Sequence, residues 1–104
     1  MREIRLLPIA QNDLESAVMY TRFVLKAPKA ARNLHESIIG CLEQVAELPE
    51  IGKVYDKPQL ETEPIRQILV EKYRVFYTFN ETELTVLRIF HTRQDIDEFS
   101  LDNF

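Results

Sequence analysis

Apolar positions change their period twice along this chain of 104 residues. In residues 2 to 7, Ile4 and Leu6 alternate with charged neighbours until Pro8, a pattern that predicts a short strand. From Pro8 the period becomes helical: Leu14, Ala17, Val18, Thr21, Val24 and Leu25 form one stripe. Pro8 fits the first helical turn, where its missing N–H costs nothing. Pro28 biases Ala27 away from the helical region, so this helix is expected to stop near Leu25 or Lys26. A second helix begins at Pro28 with the stripe Ala31, Leu34, His35, Ile38, Cys41, Leu42 and Val45, and Pro49 with Gly52 closes it. So short a link between two amphipathic helices predicts an antiparallel helical hairpin. Residues 49 to 64, with Pro49, Gly52, Pro58 and Pro64, read as a long loop, and residues 65 to 71, 73 to 79 and 84 to 91 as three strands rich in β-branched and aromatic residues.

The order β-α-α-β-β-β predicts an α+β two-layer sandwich, with the antiparallel helical hairpin packed on a four-stranded antiparallel sheet. If the first helix doubles back over the first strand, that strand lies antiparallel to the outer two of the later three and pairs at a sheet edge. Both sheet faces are partly apolar: Ile68, Val70, Val75, Tyr77, Leu87 and Ile89 have one parity, and Leu69, Phe76, Val86 and Phe90 the other. Two helices cover one face only. The second is expected to be covered by the segment with Ile96, Phe99, Leu101 and Phe104, by a second copy, or by another protein.

The length suits one domain over 1–104. No apolar run approaches the roughly 18 residues of a membrane span, and Arg2 and Glu3 lead directly into an amphipathic segment, so a cytoplasmic protein without membrane partners is expected. The net charge of −4 is uneven: residues 1 to 64 carry 8 basic and 10 acidic side chains, residues 65 to 93 carry 5 and 3, and residues 94 to 104 carry none and 4. A locally basic strand region can therefore still meet phosphate or carboxylate. The single cysteine, Cys41, lies among apolar neighbours and reads as a small core side chain; no disulfide or cysteine metal site can be built from it.

No Gly-rich phosphate loop, HExxH motif, Gly-x-Ser-x-Gly motif or Cys/His cluster is present, so no metal or cofactor is expected. His35 falls on the buried stripe and reads as a core or boundary residue. His91 ends the last strand beside Arg93, where side chains can converge on a ligand, or else bonds locally while Arg93 pairs with Asp95 or Asp97. Arg66, Arg74, Arg88 and Arg93 lie on or beside adjacent strands, suited to bidentate contacts with carboxylate or phosphate, or to surface ion pairs. Lys53, Tyr55 and Lys57 share the long loop, where they could stabilise a developing charge or form a solvated face.

The stretch Ile65-Arg66-Gln67-Ile68-Leu69-Val70-Glu71-Lys72-Tyr73-Arg74-Val75-Phe76-Tyr77, followed by Leu84-Thr85-Val86-Leu87-Arg88-Ile89-Phe90-His91-Thr92-Arg93-Gln94-Asp95, resembles the C-terminal half of the RelE/ParE toxin family of plasmid stabilisation proteins. Leu7-Pro8-Ile9-Ala10, Asp13-Leu14-Glu15, Tyr20, Leu48-Pro49 and Gly52 resemble its first strand and helical hairpin, so the likeness covers about nine tenths of the chain. The resemblance implies a type II toxin held inactive by a cognate antitoxin that wraps the hairpin and sheet, either within a toxin–antitoxin hetero-oligomer or with self-association. It is closer to the ParE branch, which implies a growth-arresting DNA gyrase inhibitor and no catalytic residues, with Arg66, Arg74, Tyr77 and Arg88 expected to meet the antitoxin. The alternative is a RelE-like ribosome-dependent mRNA endoribonuclease using Arg66, His91, Arg93, Lys53 and Lys57. Against that branch, RNA-cleaving relatives often place a tyrosine at the end, where this chain has Ile96, Phe99 and Phe104. A third reading is a binding module without lethal activity.

Overall fold

The computed structural model describes residues 2 to 55 and 64 to 93. Strand β1 (Glu3–Leu6) leads into helix α1 (Pro8–Met19), which ends in a π-helical turn (Tyr20–Val24). Helix α2 (Pro28–Glu47), a 3₁₀ turn (Pro49–Ile51), and strands β2 (Lys53–Val54), β3 (Arg66–Val70), β4 (Tyr73–Phe79) and β5 (Glu83–His91) follow. Pro8 and Pro28 each open a helix at its first turn, as their fixed φ and missing N–H favour. The hairpin covers one sheet face, so the architecture is α+β.

Two details of the expected sheet are corrected. It has five strands in the order β1-β5-β4-β3-β2, and β1 pairs parallel with β5 rather than antiparallel. The extra strand, β2, is the two-residue piece Lys53–Val54, set antiparallel against β3 inside the segment expected to be loop. Two residues are too few for an alternating pattern to register.

The parallel pairing follows from the direction of α1. Strand β1 has four residues against nine in β5, so β5 runs on well past the end of their pairing at Val86. Instead of doubling back, α1 continues along that stretch. Leu7 N–H donates to the Val86 carbonyl, Asp13 meets Ile89 further on, and Tyr20 comes near Tyr73, whose register partner is His91. Helix α2 then returns, bringing the Ala46 carbonyl within reach of the Arg2 guanidinium at the start of β1.

The core between hairpin and sheet is built from Ala10, Leu14, Ala17, Leu34, Ile38, Leu42 and Val45 against Val70, Val75, Tyr77, Leu84, Val86 and Ile89. Ile65, Phe76, Leu87 and Phe90 form a second cluster on the opposite face, with Leu7 and Tyr55 packed against it. The parity assignment is corrected at one place. Phe76 pairs with Arg88 but Tyr77 pairs with Val86, so Leu87 is an extra residue in β5. This bulge sends Val86 to the helix side and Leu87 to the other, exchanging the faces that strict alternation assigns them. The segment expected to cover the second face, with Ile96, Phe99, Leu101 and Phe104, lies outside the described residues. His35 is exposed rather than a core or boundary residue, because α2 turns Leu34 and Ile38 inward on either side of it. No helix among the described residues is long and apolar enough to cross a membrane.

Candidate functional site

The sheet places Arg66 and Tyr77 side by side at the start of β3, with Val54 of β2 beyond them. Tyr77 is fully buried; its hydroxyl donates to the Pro49 carbonyl at 2.6 Å and accepts from the Gly52 N–H at 3.0 Å. The Arg66 guanidinium donates from Nη1 to the Gly52 carbonyl at 2.8 Å and the Glu50 carbonyl at 3.3 Å, and sits 5.8 Å from the centroid of the Phe79 ring. These two side chains therefore hold residues 49–54 onto the sheet edge, satisfying backbone groups that a two-residue strand leaves open. Arg66 Nε is buried with no hydrogen-bond partner among the described residues. Lys53 stands exposed on β2, and Lys57 lies outside the described residues.

Burial pushes the Tyr77 hydroxyl above its ordinary pKa, an effect partly opposed by the Gly52 N–H and the Arg66 charge. Burial likewise raises Tyr73, helped by Tyr20 and Glu71, and the half-buried Cys41 thiol. A raised folded-state pKa favours the neutral form, so these groups contribute stability that is complete below their unfolded values and lost as pH rises through the folded ones. Stability is accordingly expected to hold to about pH 9 and fall above about pH 10. In denaturant titrations across that range, Tyr77→Phe should flatten the fall; an unchanged slope would show that Tyr77 does not drive it.

Arg88 binds α1. Its Nε donates to Asp13 Oδ2 at 2.8 Å and its Nη2 to Asp13 Oδ1 at 3.1 Å, while its guanidinium carbon stands 4.4 Å from the Phe90 ring centroid. Asp13 Oδ2 also accepts the Ile89 N–H at 3.0 Å. That donor lies just past the end of β1, so the carboxylate takes the place of the strand that stopped. In the sequence only the family resemblance marks Asp13, since nothing in its local pattern distinguishes it from an exposed helix carboxylate.

The other candidates lie at the opposite end of the strands. Arg74 is exposed, opposite Leu69 on β3 and Phe90 on β5. The His91 ring meets the Tyr73 ring edge-on at 5.1 Å, its Nδ1 accepts the Arg93 N–H at 3.0 Å, and Arg93 itself is exposed. His91 pairs with Tyr73, and Tyr73 with Val70, whereas Arg66 starts β3. Arg66 and His91 are thus about 13 Å apart along the strands and two strands apart across the sheet. Lys53 and Arg66 on one side, and His91 and Arg93 on the other, do not converge on one phosphate. Among the described residues, no three His, Cys, Asp or Glu side chains group to hold a metal.

Beyond Tyr73 lies the end of the helical hairpin. Met19, Tyr20, Phe23, Val24 and Leu25 are each 52–62% exposed, although the helical stripe predicts Val24 and Leu25 inside. The π turn accounts for this correction. Leu25 N–H donates to the Tyr20 carbonyl five residues back, and Lys26 leaves the helix at φ 53°, so the last residues rotate off the buried stripe. A second set of exposed apolar residues, Leu48, Ile51 and Val54, borders the segment held by Tyr77 and Arg66.

Residues 4–96 match the family model described as the ParE toxin of type II toxin–antitoxin system, parDE. The chain belongs to the ParE toxin family. This resolves the resemblance to RelE and ParE proteins in favour of the ParE branch. A solved structure described as the chromosomal ParDE TA system from P. aeruginosa superposes on this ParE-family chain with a TM-score of 0.70 at 18% identity, covering 88% of this chain and 96% of the other. At that identity the likeness establishes a shared fold. None of the curated proteins matches the sequence.

Proposed function

We propose that this ParE-family chain is a type II toxin that arrests growth by poisoning DNA gyrase through protein contact, and that a cognate antitoxin neutralises it. The observation that carries the reading is the family match across residues 4–96. The geometry is in keeping with it. Cations that an RNA-cleaving site would need together are split between two ends of the sheet, while two exposed apolar surfaces offer sites for protein partners. Among the residues expected to meet the antitoxin, exposed Arg74 contacts it directly. Arg66, Tyr77 and Arg88 act through the segment 49–54 and α1 that they hold.

Inducing the chain alone in bacteria tests this. Double-strand breaks and altered supercoiling with translation initially intact are expected, and co-expression of the antitoxin should abolish them. Immediate translational arrest with cut messages, relieved by His91→Ala, would replace this reading with the ribonuclease.

A further inference from the structure

We infer that the end of the helical hairpin is the surface with which the toxin grips its target, and that the complementary target surface is acidic with an apolar centre. This rests on the proposed function and names the contact through which it operates. Between Glu15 and Glu36 the chain has no acidic residue, while Arg22, Lys26, Lys29 and Arg32 supply a charge of +4; the remaining 84 residues sum to −8. All four cations are exposed. Along the chain they are interspersed with and follow Met19, Tyr20, Phe23, Val24 and Leu25, the largest concentration of exposed apolar side chains among the described residues, and Arg22 lies 5.2 Å from the Phe23 ring centroid. Methionine, tyrosine, phenylalanine and arginine are the residue types enriched where protein interfaces carry their energy.

The backbone favours the same conclusion. A π turn and a left-handed Lys26 together turn apolar residues outward that a regular helix would bury. Such departures from local consistency concentrate at functional sites. The shape selects the kind of partner. Residues 22–26 and 28–30 are all exposed, so the hairpin end is a convex projection that enters a cleft in a folded partner; a short wrapping segment instead needs a groove. The apolar border at Leu48, Ile51 and Val54 lies at the Arg66 and Tyr77 end of the sheet, leaving a separate surface for an antitoxin. With +4 gathered in one stretch of a chain whose other residues sum to −8, association with an acidic partner is steered and salt-sensitive.

Binding of the full chain to purified gyrase subunits, measured at low and physiological salt, tests the inference beside growth arrest and antitoxin binding. Phe23→Asp is expected to weaken gyrase binding at least about ten-fold and to relieve arrest. Lys26→Gly removes a charge at a left-handed position where glycine is unstrained, so its expected loss of affinity and of salt dependence cannot come from misfolding. Both variants should melt with the parent chain and still bind the antitoxin. Val54→Asp, at the other exposed apolar border, should still arrest growth. If the parent chain binds gyrase and both hairpin variants bind equally well, the inference fails while the proposed function stands. If the variants lose antitoxin binding but remain toxic, the surface belongs to the antitoxin and the inference is wrong. If the parent chain neither binds gyrase nor breaks DNA, the proposed function falls and this inference with it.

Discussion

Gly52→Ala is expected to destabilise the protein by about 3 kcal/mol, through overpacking and lost hydrogen bonds, and to lower the melting temperature by about 15 °C. The backbone at Gly52 is extended, at φ −78° and ψ 151°, a conformation open to any residue. Space is what requires glycine. A Cβ there would fall on the Tyr77 hydroxyl and come within 2.9 Å of ring atoms Cε1 and Cζ. Tyr77 has no exposed surface and packs within the hairpin–sheet core, so the ring cannot swing aside without opening that core. The alternative is for residues 49–54 to lift away, breaking the bonds from Tyr77 to Pro49 and Gly52 and from Arg66 to Gly52 and Glu50. Tyr77→Phe removes the hydroxyl alone and should cost about 1–3 kcal/mol, since buried backbone groups lose their partner. The double variant should be more stable than the sum of the singles implies, because the clash and the hydrogen bonds involve the same oxygen. Thermal or denaturant unfolding of the four proteins measures the cycle; strict additivity would refute this account of the contact.

The elements whose period is long enough to read were legible in the residues. Pro8 and Pro28 mark both helix starts, and the strands around Ile68, Val75 and Ile89 fall within two residues of their expected limits. The parts that resisted reading depend on distances along and across the fold. Lys53–Val54 is too short to show a period. The parallel pairing of β1 follows from its length relative to β5, a comparison available only once the strands are side by side. A single bulge at Leu87 exchanges two faces without altering the composition of the strand. The candidate site was legible by residue type rather than by role. Arg66, Tyr77 and Arg88 stand out in the sequence as groups fit for a partner, and the bonds each makes within the fold could not be read there, because residue identity does not say which way a side chain faces. Val24 and Leu25 reveal the reverse: a helical stripe indicates which residues share a face, and a π turn decides whether that face is covered.

Asp13→Ala is expected to cost about 3 kcal/mol and to loosen the hairpin from β5. The Arg88 and Asp13 side chains are only 15% and 14% exposed, so the substitution would remove the Asp13 carboxylate and its two hydrogen bonds from a nearly buried guanidinium. The same substitution removes the acceptor of the Ile89 N–H on the stretch of β5 beyond β1. Asp13→Asn retains an acceptor for that N–H and loses only the charge, so a smaller cost of about 2 kcal/mol is expected. Replacing both partners by apolar residues, as Asp13→Ala with Arg88→Met, should recover part of the loss, since the nearly buried guanidinium is removed together with the carboxylate that faced it. Amide exchange separates the two roles: in Asp13→Ala the Ile89 amide should lose protection, and in Asp13→Asn it should keep most of it. Unchanged protection in both would mean that β5 holds its edge without the carboxylate. Because α1 carries the hairpin end beyond Tyr73, slackening at Asp13 should also weaken target binding without altering any residue of the hairpin surface, a loss that added salt would not reproduce.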